Sequence, residues 1–94
     1  MNKEFLSIKT PNEISREIAD NMRSRRKEVK LTQKQLSIKS GVSLGSLKRF
    51  ETCGEISLQS LLKLAIALGY EDDFHALFTK KQYRSIQEII DERI

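Results

Sequence analysis

Hydrogen-bond donors and cations crowd one stretch of this chain: Gln33, Lys34, Lys39, Ser43, Ser46, Lys48 and Arg49, with Arg23, Arg25, Arg26, Lys27 and Lys30 just ahead of it. The chemistry such a set suits is neutralising phosphates and bonding to base edges. Residues 1–50 hold twelve Lys/Arg against five Asp/Glu, residues 51–94 hold five against eight, and the whole 94-residue chain carries +4. A basic face of this kind releases the counterions condensed on a nucleic acid, which supplies affinity independent of sequence. Arg25 and Lys27 could equally be solvated charges on one helix face. Catalysis has no residues behind it: the single Cys53 and the single His75 lack the third, orienting group of a nucleophilic site. They are also too few for a tetrahedral metal site or an intrachain disulfide, so neither metal nor cofactor is expected.

The elements that must position these residues are legible in QKQLSIKSGVSLGSLKRFE, residues 33–51. Leu36 and Leu47 fall on the inner sides of two short helices, Gly41 stands where a chain turning sharply after a helix needs positive φ, and Val42 plugs the corner. Ser43 caps the helix that follows. This spacing is that of a helix-turn-helix, in which the second helix enters the DNA major groove and the first crosses the backbone.

The rest of the chain reads as helical. Thr10, Pro11 and Glu13 give a hydroxyl cap, a proline at the first helical position and an early carboxylate. The first helix is expected from Pro11 to about Val29, with Ile14, Ile18, Met22 and Val29 inward. Thr32 caps the second helix, and the third ends near Thr52. Ser57 opens a fourth, whose Leu58, Leu61, Leu62, Leu64, Ala65 and Leu68 make it the expected central core helix, stopped by Gly69. A fifth, about Asp72 to Phe78, presents Phe74, Leu77 and Phe78. Phe5 to Ile8 suits a brief strand or a docked arm. Tyr83, Ile86, Ile89, Ile90 and Ile94 fall on one side of an amphipathic tail, apolar area that should be buried on the domain, a second subunit or a partner. The expected organisation is an arm (1–9), a helix-turn-helix domain (10–78) and a tail (79–94). No run is apolar enough to span a bilayer and no signal peptide is evident, so a cytoplasmic protein without membrane contact is expected.

From about Glu17 to Gly69 the chain resembles the Cro and phage-repressor type of helix-turn-helix domain, the XRE family. The resemblance rests on Arg26, Leu31, Thr32, Gln33, Leu36, Gly41, Val42, Ser43, Leu47, Phe50, Glu51, Leu61, Ala65, Leu68 and Gly69. It implies an all-α, five-helix, lambda-repressor-like domain that binds operator DNA as a dimer. It also implies that Arg26 pairs with Glu51 as a structural ion pair and that Gln33 meets a phosphate. The chain departs from the usual pattern at Ser37, where alanine is usual, at Lys30, where glycine is usual, at Cys53 and Gly54, and at Gly45 inside the recognition helix. Gly45 costs roughly 1 kcal/mol of helix propensity relative to Ala, which suggests that a close approach or a short side chain is needed there.

With Leu47 and Phe50 inward, Ser43, Leu44, Gly45, Ser46, Lys48 and Arg49 face out. Leu44, Ser46 and Arg49 are best placed for base edges: Leu44 for a thymine methyl, unless it packs on the second helix, and Arg49 for guanine O6 and N7. Arg23, Lys34, Lys39 and Lys48 are phosphate candidates, which position rather than specify. The expected target is double-stranded operator DNA with an inverted repeat, bound by a homodimer whose surface includes Phe74 and Phe78. The segment from Ser43 to Phe78 further resembles small XRE proteins that accompany HipA-type kinase toxins, which implies an autoregulating repressor and antitoxin. A stand-alone phage or restriction-control regulator, and a protein- or RNA-interaction adaptor on the same scaffold, are the alternatives. Against an RNA platform, the basic face carries no interleaved aromatics.

Overall fold

Four hydroxyl side chains start the four longer helices. In the computed structural model, which describes residues 9–82, Thr10, Thr32, Ser43 and Ser57 each accept from a backbone N–H three residues on, at Glu13, Gln35, Ser46 and Ser60. The helices they cap are α1 (Pro11–Glu28), α2 (Gln33–Ser40), α3 (Leu44–Cys53) and α4 (Leu58–Leu68). Each cap stabilises its helix by about 1 kcal/mol. At α2 the cap is reciprocal, because the Gln35 side chain also accepts from the Thr32 N–H; the spacing T-x-x-Q announces this box.

The helix ends follow equally local rules. Gly41, Gly54 and Gly69 are left-handed, with φ of 78°, 77° and 82°. After α1 the same work falls to Lys30, at φ 60°, whose N–H bonds to Lys27 O while Leu31 N–H bonds to Arg26 O, a Schellman closure built on a residue with a Cβ. Ser37, another departure from the repressor pattern, strengthens the turn: its hydroxyl donates to Val42 O at 2.6 Å and holds the corner residue over α2.

The helices converge on one core of Ala19, Met22, Leu36, Val42, Leu47, Phe50 and Leu64, backed by Leu31, Ile56, Leu61, Ala67 and Leu68. Two expectations about its composition are corrected. On α1 the buried stripe is Ala19, Met22 and Arg26, whereas Ile14, Ile18 and Val29 are exposed. The buried set has the 3-and-4 spacing of one face, and Ile14 and Ile18 fall to one side of it, so position on the helix outranked side-chain size. On α4 only Leu64 and Ala65 are buried and Leu58 is exposed; the most deeply buried large side chains are shared among α2, α3 and α4 as Leu36, Leu47, Phe50 and Leu64.

The fifth helix is also shorter than expected. α5 spans only Asp72–His75, has no side-chain cap, and is followed by turns in which Phe78 takes φ 61° and is fully exposed. The Phe5 to Ile8 arm and the tail residues Tyr83, Ile86, Ile89, Ile90 and Ile94 lie outside the described residues. Among the described residues every regular element is a helix, and no helix is long and apolar enough to cross a membrane.

Gly54 and Lys30 make opposite predictions. A Cβ at Gly54 would sit 3.1 Å from the Ser15 and Arg16 backbone, so Gly54→Ala combines a left-handed alanine with a rigid clash and should lower stability by about 1 to 3 kcal/mol. Lys30→Gly removes a left-handed cost of about 1 to 2 kcal/mol against a smaller unfolded-state entropy loss, and should raise stability by up to about 1 kcal/mol. Urea midpoints at unchanged m-value check both signs.

Candidate nucleic-acid interface

The orientation of α3 is set by a buried charge network. Arg26, on the last turn of α1, donates from Nε to Glu51 Oε2 at 2.8 Å and from Nη2 to Glu51 Oε1 at 2.9 Å, while Nη1 donates to Leu31 O at 2.8 Å. Both side chains are more than nine-tenths buried. Glu51 Oε1 also accepts from Gln33 Nε2 at 3.0 Å, and Arg23 Nε lies 3.8 Å away. One carboxylate on α3 therefore ties the end of α1 to the first residue of α2, and the guanidinium it holds reaches the connection between them. The planar guanidinium suits this because it fills two forked contacts and one carbonyl at once.

Leu47 and Phe50 turn inward, so the opposite stripe of α3 faces water. Gly45 and Arg49, four residues apart, lie at its centre, with Ser46 and Lys48 on its flanks, and all four are exposed. A Cβ at Gly45 would meet nothing within 4 Å, so no contact inside the protein requires glycine there. Ser43 is exposed beside them, its hydroxyl engaged by the Ser46 N–H and donating to Ser46 Oγ. Leu44 differs from expectation: it is half-buried at the inner edge of the helix, one step round from Leu47, so packing on the domain claims part of its side chain.

Around this stripe, Lys34, Lys39 and Arg23 are exposed and Gln33 is half-buried. Arg25 is drawn to Glu28 at 2.9 Å. Arg49 is not free: Nε and Nη2 both donate to Glu55 Oε2, Nε at 3.1 Å, in a surface pair with both side chains about two-thirds exposed. This hydrogen bond and the Glu55 charge raise the Arg49 pKa above its ordinary value. Sequence reasoning missed Glu55, which lies six residues beyond Arg49 across Gly54, a separation no helical spacing rule covers. It also missed Arg16, which donates to Thr52 O at 3.2 Å and anchors the end of α3 to α1. Among the described residues no group of His, Cys, Asp and Glu could hold a metal ion.

The family model described as helix-turn-helix matches residues 22–74, the span from Met22 on α1 to Phe74 on α5. The chain belongs to the helix-turn-helix family, of the XRE type. Comparison with curated proteins and with solved structures gives no match. As a helix-turn-helix protein the chain is a DNA-binding transcription regulator, and α3 occupies the place of the recognition helix.

Two measurements separate scaffold from reading surface in this helix-turn-helix domain. Glu51→Ala leaves Arg26 buried without a counter-charge and should cost about 3 to 5 kcal/mol of folding stability, seen as a large fall in urea midpoint. Gly45→Ala should do the reverse, gaining up to about 1 kcal/mol of helix propensity while weakening DNA binding in a gel-shift titration. Unchanged binding by Gly45→Ala would show that nothing approaches α3 at that point.

Proposed function

We propose that the protein is a sequence-specific repressor that binds an inverted repeat as a homodimer, and that it is the autoregulating antitoxin of a HipA-type kinase. The observation that carries the DNA part is the uncovered outer stripe of α3, exposed and polar over a helix end fixed by the Arg26–Glu51 network. In this reading Arg49 and Ser46 meet base edges, Leu44 contributes its exposed edge to a thymine methyl, and Ser43 lies at the groove wall. Lys34, Lys39, Lys48, Arg23 and the second amide hydrogen of Gln33 meet phosphates. Lys48→Ala or Lys39→Ala should weaken binding to all duplexes alike and reduce the salt slope by about one unit. Arg49→Ala should instead cost about 1 to 3 kcal/mol and relax one position of each half-site. Equal weakening on every sequence would move Arg49 to the phosphate class.

What supports twofold assembly lies away from the α3 stripe, on α1, α4 and the residues around α5. Ile18, Met22, Leu61, Ala65, Leu68, Tyr70, Phe74 and Leu77 line an open groove of about 520 Å³, and Arg25 Nε in its wall finds no partner among the described residues. Beside it stands Phe78, fully exposed and held in a left-handed turn. A projecting apolar side chain next to an apolar recess is a self-complementary patch, the requirement of an isologous interface, so the occupant is a second copy. Phe78→Ser removes the contact twice per dimer, at about 1.5 to 3 kcal/mol each, and should weaken dimerisation a hundredfold or more in sedimentation equilibrium. A monomer at micromolar concentration in the unaltered protein would overturn this arrangement. The dimer should space its two α3 helices by about 34 Å, one turn of B-DNA.

What supports the antitoxin part is the resemblance of the segment from Ser43 to Phe78 to small regulators that accompany HipA-type kinases. A kinase-like reading frame beside this gene, whose toxicity co-expression of this chain relieves, is the expected result. Toxicity unrelieved by the chain would leave a stand-alone regulator.

A further inference from the structure

The Arg49–Glu55 pair occupies the centre of the surface proposed to read DNA, and its geometry divides the guanidinium in two. Glu55 Oε2 takes the Nε–Nη2 side edge. The end edge, with Nη1 and the second Nη2 hydrogen, is left without a partner among the described residues, and two parallel N–H groups are what guanine O6 and N7 accept. Arg49 is about two-thirds exposed, so this edge faces solvent, and Gly45, one turn earlier on the same stripe, adds no side chain to the surface. Glu55 itself is held in place from below. It follows Gly54, which is buried against the Ser15 and Arg16 backbone, and Arg16 fastens the preceding turn through Thr52 O. The carboxylate thus stands on a connection braced against α1.

We propose that Glu55 is a positioning residue for specificity: by holding one edge of Arg49 and offsetting its charge, it directs the other edge to guanine and denies Arg49 to phosphates at random. The charge argument gives the proposal its sign. An unpaired arginine gains from any nearby phosphate, whereas one already paired to a carboxylate gains less from charge alone and depends more on the directional bonds that guanine supplies. An acidic residue facing a polyanion lowers affinity for DNA in general, and here that loss sharpens discrimination, which is a difference between affinities. The inference rests on the reading of Arg49 as a base contact.

The test uses the full chain and a pool of duplexes with a randomised centre, sequenced after binding, together with a fluorescent duplex of unrelated sequence. In the unaltered protein one position of each half-site should prefer guanine, and Arg49→Ala should abolish that preference. Glu55→Gln should lower the same preference by about tenfold, leave the other positions as they were, and raise affinity for the unrelated duplex several-fold. In the Arg49→Ala background, Glu55→Gln should no longer change any positional preference. Both residues are surface-exposed, and equal melting temperatures of all the variants establish that folding is not what changes. Guanine preference lost in Arg49→Ala yet untouched by Glu55→Gln overturns the role of Glu55 alone. A preference that survives Arg49→Ala overturns Arg49 as a base reader, and the role of Glu55 with it. An effect of Glu55→Gln on preferences that persists without Arg49 shows that Glu55 acts through some other group.

Discussion

Everything this domain presents to DNA hangs on one desolvated ion pair. Arg26 and Glu51 are too well buried for water to serve either of them, so their forked contact has to be complete or the fold loses more than it gains. Completeness is reached by recruiting neighbours: Leu31 supplies a carbonyl to the third guanidinium nitrogen and Gln33 an amide to the carboxylate. Because these groups come from α1, the α1–α2 connection, α2 and α3, satisfying one pair of charges fixes the relative rotation of three helices. A hydrophobic contact of equal strength would be less exacting, since apolar surfaces can slide and charges with fixed donors cannot.

The recognition face is the complement of that constraint. Side chains that turn inward on α3 are committed to the core, and those on the far stripe contribute almost nothing to stability, which leaves their identity open to be set by what binds there. Gly45 is the clearest sign of this. It weakens the helix, and no packing inside the protein requires it. The Arg49–Glu55 pair differs in kind from Arg26–Glu51 although both join an arginine to a glutamate. One is buried and architectural, and the other is exposed and worth little to the fold.

A domain of this size cannot cover all its apolar surface alone. The groove between α1, α4 and the residues around α5 shows where the shortfall lies, on a side of the molecule that the reading stripe of α3 does not use. The proposed self-association surface there would leave α3 unobstructed, so that the two tasks could change independently.

Local chemistry was legible in the chain by itself. Hydroxyl caps at Thr10, Thr32, Ser43 and Ser57, left-handed stops at Gly41 and Gly69, and inward Leu36, Leu47 and Phe50 each depend on neighbours within a turn or two, so the sequence carries the helices, the turn and the face of α3 that looks outward. Only the tertiary structure decided matters that turn on distance between helices. It chose Ala19 over Ile14 and Ile18 for the core, because the face of α1 that meets the other helices is centred on Ala19, Met22 and Arg26. It left Leu44 half-buried and Phe78 outside the short α5, and it brought Glu55 to Arg49 across a glycine turn. Periodicity says which residues share a face, but how deeply that face is buried, and what stands opposite it, depends on where the other helices come to rest.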